Sequence, residues 1–356
     1  MTTEKTSYIG FTCAYTPLAL IDAAGYVPYR ILPMGNSPDM AGQILHDNLC
    51  PHVKRVLDRA LDNDLPEFAG VVLLNSCDAM RRLADAWQKI RPKDRVILID
   101  LPITSDDSAV SYFGRELSRM ADTLFHWRGR PVSSEAIAKS IEKFNQLAFL
   151  FRSLRQCLYS GKVSGGAAYL QNLYNVAVTR PFYETCRILK GVLEERKTPS
   201  AVHNGVPIFL FGNVLPDPEA LDLFESCGAR IVDEDLCTGS RMFAPIEIEI
   251  GKGSEEIFTQ LARGLLGRSR CARTLLPMQP GVIAEEVLAR ATDCKVRGVI
   301  ACTAKFCDPY IARIPRVREV LRKAGLPMLH IEGDCTMRSF GQQRTRIQAF
   351  AEMLRG

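Results

Sequence analysis

The chain has 356 residues, 47% apolar and 24% charged, a globular balance with length for two lobes of about 100–200 residues each. No apolar run approaches the about 20 residues that a membrane span needs, and the N-terminal Met-Thr-Thr-Glu-Lys-Thr leads into a strand without an apolar signal core, so a cytoplasmic protein is expected. A formal charge of +5, from 45 basic and 40 acidic residues in mixed order, offers no Lys/Arg block for nucleic acid and at most mild attraction for anions such as nucleotides or acyl-CoA.

The first lobe opens with the strand "YIGFTC". "TPLALIDAAG" follows as a helix, with Pro17 suited to its first turn and Gly25 to its stop. Next come the strand "VPYRILP", the amphipathic helix "CPHVKRVLDRALDN", the strand "GVVLLN", the helix "DAMRRLADAWQKI" and the strand "RVILID". Strands alternating with helices predict a parallel, doubly wound sheet. From Ser133 to about Lys197 strand patterns vanish. "SSEAIAKSIEKFNQLAFLFRSLRQCLYSG" predicts one long helix behind a Ser cap, followed by "YLQNLYNVAVT" and "RPFYETCRILKGVLEERK". The second lobe repeats the first: strands "VPIFLFGN", "ARIVDE", "GVIACT" and "LPMLHIE" are interleaved with helices, ending on "FGQQRTRIQAFAEMLRG". The expected organisation is a first α/β lobe over 1–130, a helical insert or linker over 131–204 and a second α/β lobe over 205–356.

Twelve cysteines in a reducing compartment point away from a disulfide framework and leave core thiols, catalytic thiols or metal ligands. Cys157, Cys186, Cys227 and Cys294 fall in helical stretches and read as small buried hydrophobes. Most of the others fall at strand ends or helix starts. "GVVLLNSCDAMRRL" and "GVIACTAKFCDPYIARI" share Gly, an apolar strand, Cys-Asp and a helix, one in each lobe. Ligands of open α/β sheets bind beyond the carboxyl ends of strands, so two facing lobes would set Cys77 and Cys307 across one cleft. A helix N-terminus beside each sulfur favours the thiolate that ligates metal. Cys13, Cys50 and Cys237 occupy comparable positions. No zinc-ribbon spacing is present; scattered soft donors suit an iron–sulfur cluster, while spacing alone leaves zinc and structural thiols open.

The phrases "KFCDPY", "IEGD", "GQQRTRIQAFAEML", "DEDLCTGSR", "NSCDAMRRL" and "CAYTPLALIDAAGYVPYRI", spread from Ile9 to Leu354, resemble the 2-hydroxyacyl-CoA dehydratase D-component family. That family includes benzoyl-CoA reductase subunits and double-cubane cluster proteins. The resemblance implies two Rossmann-like parallel-sheet lobes joined by a helical region, with an oxygen-sensitive iron–sulfur cluster in the interlobe cleft. It also implies electrons from a separate ATP-hydrolysing activator that carries its own 4Fe–4S cluster, and a homodimer or a heterodimer with a related subunit. By motif, Cys50, Cys77 and Cys307 match the cysteines that hold a 4Fe–4S cluster in the dehydratases, where one electron passes into a thioester carbonyl and the ketyl radical expels the leaving group. Leu18 and Ala19 stand where many members carry an acidic residue, which counts against plain dehydration. Cysteines beyond one cubane's need favour the double-cubane (8Fe–9S) reading, with Cys13, Cys50, Cys77, Cys237, Cys271 and Cys307 as the resemblance-implied set and Cys302 and Cys335 in reserve.

Remaining candidates read more plainly. Gly165-Gly166 lacks the Lys-Ser/Thr and preceding strand of a phosphate loop, and suits a turn. His46, His52, His126, His203 and His330 form no i, i+4 pair. Arg241, Lys305 and Arg344 are candidates for a substrate anion or for ordinary charge pairing, and Glu332 and Asp334 for proton transfer or helix capping. Ile137 to Tyr159 carries an apolar stripe that suits core or a partner subunit.

Overall fold

Alternation of apolar strand and amphipathic helix builds two sheets of one design. The computed structural model describes residues 6–34, 39–160, 163–195, 204–248, 254–268, 271–274, 281–334 and 340–356; Cys335 and His203 lie outside them. The first lobe runs Tyr8–Phe11 (β1), Leu18–Ala23 (α1), Val27–Arg30 (β2), Pro51–Leu61 (α2), Phe68–Asn75 (β3), Asp78–Ile90 (α3), Val96–Asp100 (β4) and Asp107–Arg128 (α4). Three helices follow: Ser134–Tyr159 (α5), Gly166–Thr179 (α6) and Phe182–Glu194 (α7). The rest comprises Val206–Gly212 (β5), Pro218–Ser226 (α8), Ala229–Asp235 (β6), Ser254–Leu266 (α9), Val282–Asp293 (α10), Gly298–Ala304 (β7), Asp308–Lys323 (α11), Met328–Gly333 (β8) and Phe340–Arg355 (α12).

The two four-stranded sheets have the orders β2-β1-β3-β4 and β6-β5-β7-β8, with parallel pairing throughout. The lobes are therefore Rossmann-like repeats, as the sequence predicts. Parallel sheets are covered on both faces, which explains why β7, Gly298-Val-Ile-Ala-Cys-Thr-Ala304, is buried along its whole length. At the end of β5, a Cβ on Gly212 would run into the carbonyl oxygen of Cys302, so only glycine allows this approach of β5 to β7. Strand order reverses between β1 and β3, and again between β5 and β7. These two reversals fix where a ligand crevice can form.

The sequence reading differs from the structure in three local respects. It assigns no element to Asp107–Arg128, which forms a 22-residue helix capped by Asp106, whose carboxylate accepts from the Ala109 N–H at 3.0 Å, and stopped by Gly129 at φ 76°. Pro17 sits at the N-cap of α1, one residue before its first turn. Helix α9, counted with the second lobe from sequence, packs on α4. Its Ile257, Phe258, Leu261 and Leu265 join a core with Phe113, Leu117 and Met120 of that helix.

The helical region ties the lobes together. Lys143 of α5 pairs with Asp22 of α1 at 2.9 Å. From α6, Gln171 donates to the Thr238 carbonyl at 3.0 Å and Asn175 to the Pro216 carbonyl at 2.8 Å, both in the second lobe. The Ile137 to Tyr159 stripe is core: Leu147, Leu150, Phe151 and Leu154 pack against α6 and α7.

Candidate functional site

The two sheet reversals open on one cleft of about 630 Å³, lined mainly by apolar atoms. Cys13, Cys50 and Cys77 reach it from the first lobe, and Cys237, Cys271 and Cys307 from the second-lobe side. The local reasons differ. Cys13 follows β1 and Cys237 follows β6, each at a strand's carboxyl end. Cys50, Cys77 and Cys307 are the N-cap residues of α2, α3 and α11. There the first-turn N–H groups are unpaired along the helix and the positive end of the dipole points at sulfur. Phe306, with φ 57°, makes the turn that delivers Cys307 to its helix, a costly backbone for a non-glycine residue.

Cys271 is held by both lobes at once. Its N–H donates to the Tyr15 hydroxyl at 3.1 Å. Arg273 donates to the carbonyls of Ser76, Leu101 and Pro102 at 2.7–2.8 Å. From α11, Arg313 donates to the carbonyls of Ala272 and Thr274 at 3.1 and 3.2 Å.

The sulfurs press on one another. The Cys307 thiol is pushed well up, first by its hydrogen bond with Cys50, then by burial. Burial and the neighbouring Cys237 push Cys13 up to about 12. Cys77 is raised by burial, against the N–H of Met80, with Cys307 and Cys271 adding to the rise. Cys271 is raised by burial, partly countered by Arg241. The couplings run as a chain through the cleft, from Cys50 to Cys307, from Cys77 to both Cys307 and Cys271, and from Cys13 to Cys237 and Cys271. Crowded, desolvated thiols stay protonated unless a cationic group enters and reverses the balance. Among the described residues no three His, Cys, Asp or Glu side chains converge on a point that would hold one metal ion; the six sulfurs surround a volume instead.

Among the buried polar atoms without partners, Thr12 Oγ1 and His52 Nδ1 belong to residues that line the cleft, and Arg30 Nε lies on β2 of the same lobe. Burial, and then the charge of Arg30, pulls the His52 pKa down to about 3 and keeps the ring neutral. A donor set of six soft sulfurs, an apolar wall and orphaned polar atoms fits a polynuclear sulfur-ligated group.

Other sequence candidates fall elsewhere or are already engaged. Cys302 is buried within β7 at 5% exposure, and Cys157, Cys186 and Cys227 are core. Cys294 lies near Asp233 and outside the cleft lining, with its sulfur 3.9 Å from that carboxylate. Arg241 lines the cleft but its guanidinium is committed to Asp235 Oδ1 at 3.0 Å, the Tyr310 hydroxyl at 2.6 Å and the Gly212 carbonyl at 3.2 Å. It braces the second lobe. Lys305, Arg344 and Glu332 are exposed and outside the cleft lining. His330 stays in β8, its Nε2 2.8 Å from the Thr303 hydroxyl. Leu18 and Ala19 are buried in α1. Gly165 and Gly166 form the turn that opens α6, at φ 122° and 61°.

Several cleft residues escape sequence reasoning. Asn213, just after β5, accepts from the Val214 and Ala304 N–H groups at 2.8 and 3.1 Å and lies against Cys307. Ile103 and Phe306 stand at the rim, 51% and 43% exposed. Arg30, at the end of β2 and outside the cleft lining, is the lone cation of the apolar run "VPYRILP".

Two parallel α/β lobes that face their switch points onto a thiol-lined cleft define an α/β protein with a soft-donor site between repeats. The chain belongs to the 2-hydroxyglutaryl-CoA dehydratase, D-component family, whose pattern it matches over residues 13–354. It is 22% identical to the (R)-phenyllactyl-CoA dehydratase beta subunit of Clostridium sporogenes, over 97% of this chain and 91% of that one. Identity is 24% to the beta subunit of lactoyl-CoA dehydratase from Anaerotignum propionicum, with the same coverage of 97% and 91%. A benzoyl-CoA reductase subunit of Thauera aromatica is 22% identical over 90% of this chain and 84% of that one.

Proposed function

We propose that the six cleft cysteines hold a double-cubane-type iron–sulfur cluster, and that the protein takes low-potential electrons from an ATP-hydrolysing activator and reduces a small substrate in the cleft. The observation that carries this reading is the gathering of all six thiols around one cleft, three from the first lobe and three from the second-lobe side. When bound, such a cluster supplies one-electron chemistry at low potential. The chain's part is to hold anionic sulfur at helix N-termini, to keep water from the apolar wall and to fix Cys271 between the lobes. No helix of the described residues is long and apolar enough to cross a membrane.

A second reading is favoured by the relatives, whose names are those of dehydratase and benzoyl-CoA reductase subunits. In it, Cys50, Cys77 and Cys307 hold a single 4Fe–4S cluster in one subunit of a radical 2-hydroxyacyl-CoA dehydratase or an aryl-CoA reductase. The buried Leu18 and Ala19 place no carboxylate at the start of α1 for the proton transfer of dehydration. Iron and sulfide analysis of anaerobically purified protein decides: about eight irons per chain supports the double cubane and about four supports the single cluster. Protein that stays colourless with iron and sulfide, and that is indifferent to Cys77→Ala and Cys307→Ala, is an accessory subunit instead.

A further inference from the structure

Arg30 ends β2, opposite Phe11 of β1 and so beside the strand that leads into Cys13. It is 1% exposed, among the largest fully buried side chains of the protein. A guanidinium cannot shed its proton, so its charge stays in the interior and needs an anion there. Of the described residues, no carboxylate pairs with it. Its Nη1 donates to the Cys237 carbonyl at 2.7 Å and lies 3.8 Å from the Met242 sulfur, its Nη2 lies 3.2 Å from the Cys237 sulfur, and its Nε is buried without a partner. Its charge counters the rise of the Cys13 thiol and adds to the lowering of the neutral His52. Among the described residues, the side-chain atoms that its guanidinium touches are therefore sulfurs, those of Cys237 and Met242.

We propose that Arg30 is the built-in counter-cation of the anionic group held in the cleft. It is a positioning residue that fixes Cys237 and favours the reduced form of that group. The inference rests on the cluster reading above. A fixed positive charge stabilises an added electron, so removing it moves the reduction potential to more negative values.

The test uses full-length protein loaded anaerobically with iron(II) and sulfide, with redox titration followed by electron paramagnetic resonance. Arg30→Met and Arg30→Gln are expected to shift the oxidised-to-reduced ratio at a given potential by about tenfold, or about 59 mV for a one-electron couple, while Arg30→Lys stays nearer wild type. The metal-free neutral variants are expected to melt close to wild type, the lost bond to the Cys237 carbonyl being offset by relief of a buried charge that no described carboxylate pairs with. Unchanged potentials in both neutral variants overturn the inference and leave the cluster reading standing. Metal-free Met and Gln variants that both melt far below wild type, or fail to fold, make Arg30 a structural strut and overturn it as well. Wild-type protein that takes up no iron overturns the cluster reading, and the role of Arg30 with it.

Discussion

Arg273 donates from Nε to the carbonyl of Ser76 at 2.7 Å, fastening the segment that carries Cys271 to the residue before Cys77. Two more donations, to Leu101 and Pro102, complete the attachment to the first lobe. Without the side chain, three carbonyls near the cleft lose a charged donor, and the Cys271 segment keeps, among the described residues, its hydrogen bonds with Tyr15 and Arg313. Arg273→Leu is expected to cost about 2–3 kcal/mol, allowing for water at the half-buried site. Denaturant unfolding of the metal-free protein reads that cost, and alkylation of Cys271 should speed up in parallel. A variant as stable as wild type, with Cys271 no more reactive, would show that Arg313 and Tyr15 suffice.

Phe306 gives a second, backbone-level expectation. Its φ of 57° is strained for any residue with a Cβ, while its ring stands at the cleft rim, 43% exposed. Phe306→Ala removes the ring and keeps the strain. Phe306→Gly removes both, so it should be the more stable variant by roughly 1 kcal/mol even though glycine is more flexible unfolded. Equal stability of the two variants in denaturant would mean that the turn before Cys307 relaxes freely.

These two residues also mark how far sequence reading reaches. The lobe repeat was legible because each "strand, Cys-Asp, helix" phrase carries its own periodicity and its own helix start. The cleft positions of Cys13, Cys50, Cys77, Cys237 and Cys307 follow from strand-end logic once the sheet is parallel. Cys271 does not: nothing local marks it, and among the described residues the hydrogen bonds that hold its segment at the cleft are tertiary, with Tyr15, and through Arg273 and Arg313. Helix α4 had usable signals in Asp106 and Gly129, but its apolar face, shared with α9, shows its purpose only when both helices are placed. The partners of Arg30, Cys237 and Met242, lie 207 and 212 residues away, beyond any pattern in the chain.

Cys302 and Cys307 are five positions apart and should respond oppositely to substitution. Cys302 lies inside β7, paired with Gly212 of β5 and Ile331 of β8, and does not line the cleft. Cys302→Ala should leave iron content unchanged and cost about 1–2 kcal/mol of stability through the small cavity it leaves. Cys307→Ala should lose much of the iron taken up anaerobically while costing little stability in the metal-free protein. Iron analysis and thermal melting of the pair separate the roles, and iron loss on Cys302→Ala would make that thiol a ligand.

Glu234 supplies a pH dependence that is independent of any bound group. It is buried on β6, and its carboxylate oxygens accept from the N–H groups of Leu236 and Ser240, both at 2.8 Å. Burial, reinforced by Asp233, lifts its pKa from 4.5 to about 7, against the pull of Arg155 and Arg290. Below about pH 4.5 the group is protonated folded and unfolded, and adds no pH dependence. Between about pH 4.5 and 7 the unfolded chain releases the proton that the fold retains, so stability falls as pH rises; above about 7 the penalty is complete. Glu234→Gln abolishes this titration and loses one acceptor at every pH. Relative to that variant, wild type should therefore lose on the order of 2–3 kcal/mol between about pH 5 and 8. Denaturant unfolding of both proteins across that range gives the difference curve, and a flat difference would mean that Glu234 ionises normally beside its two arginines.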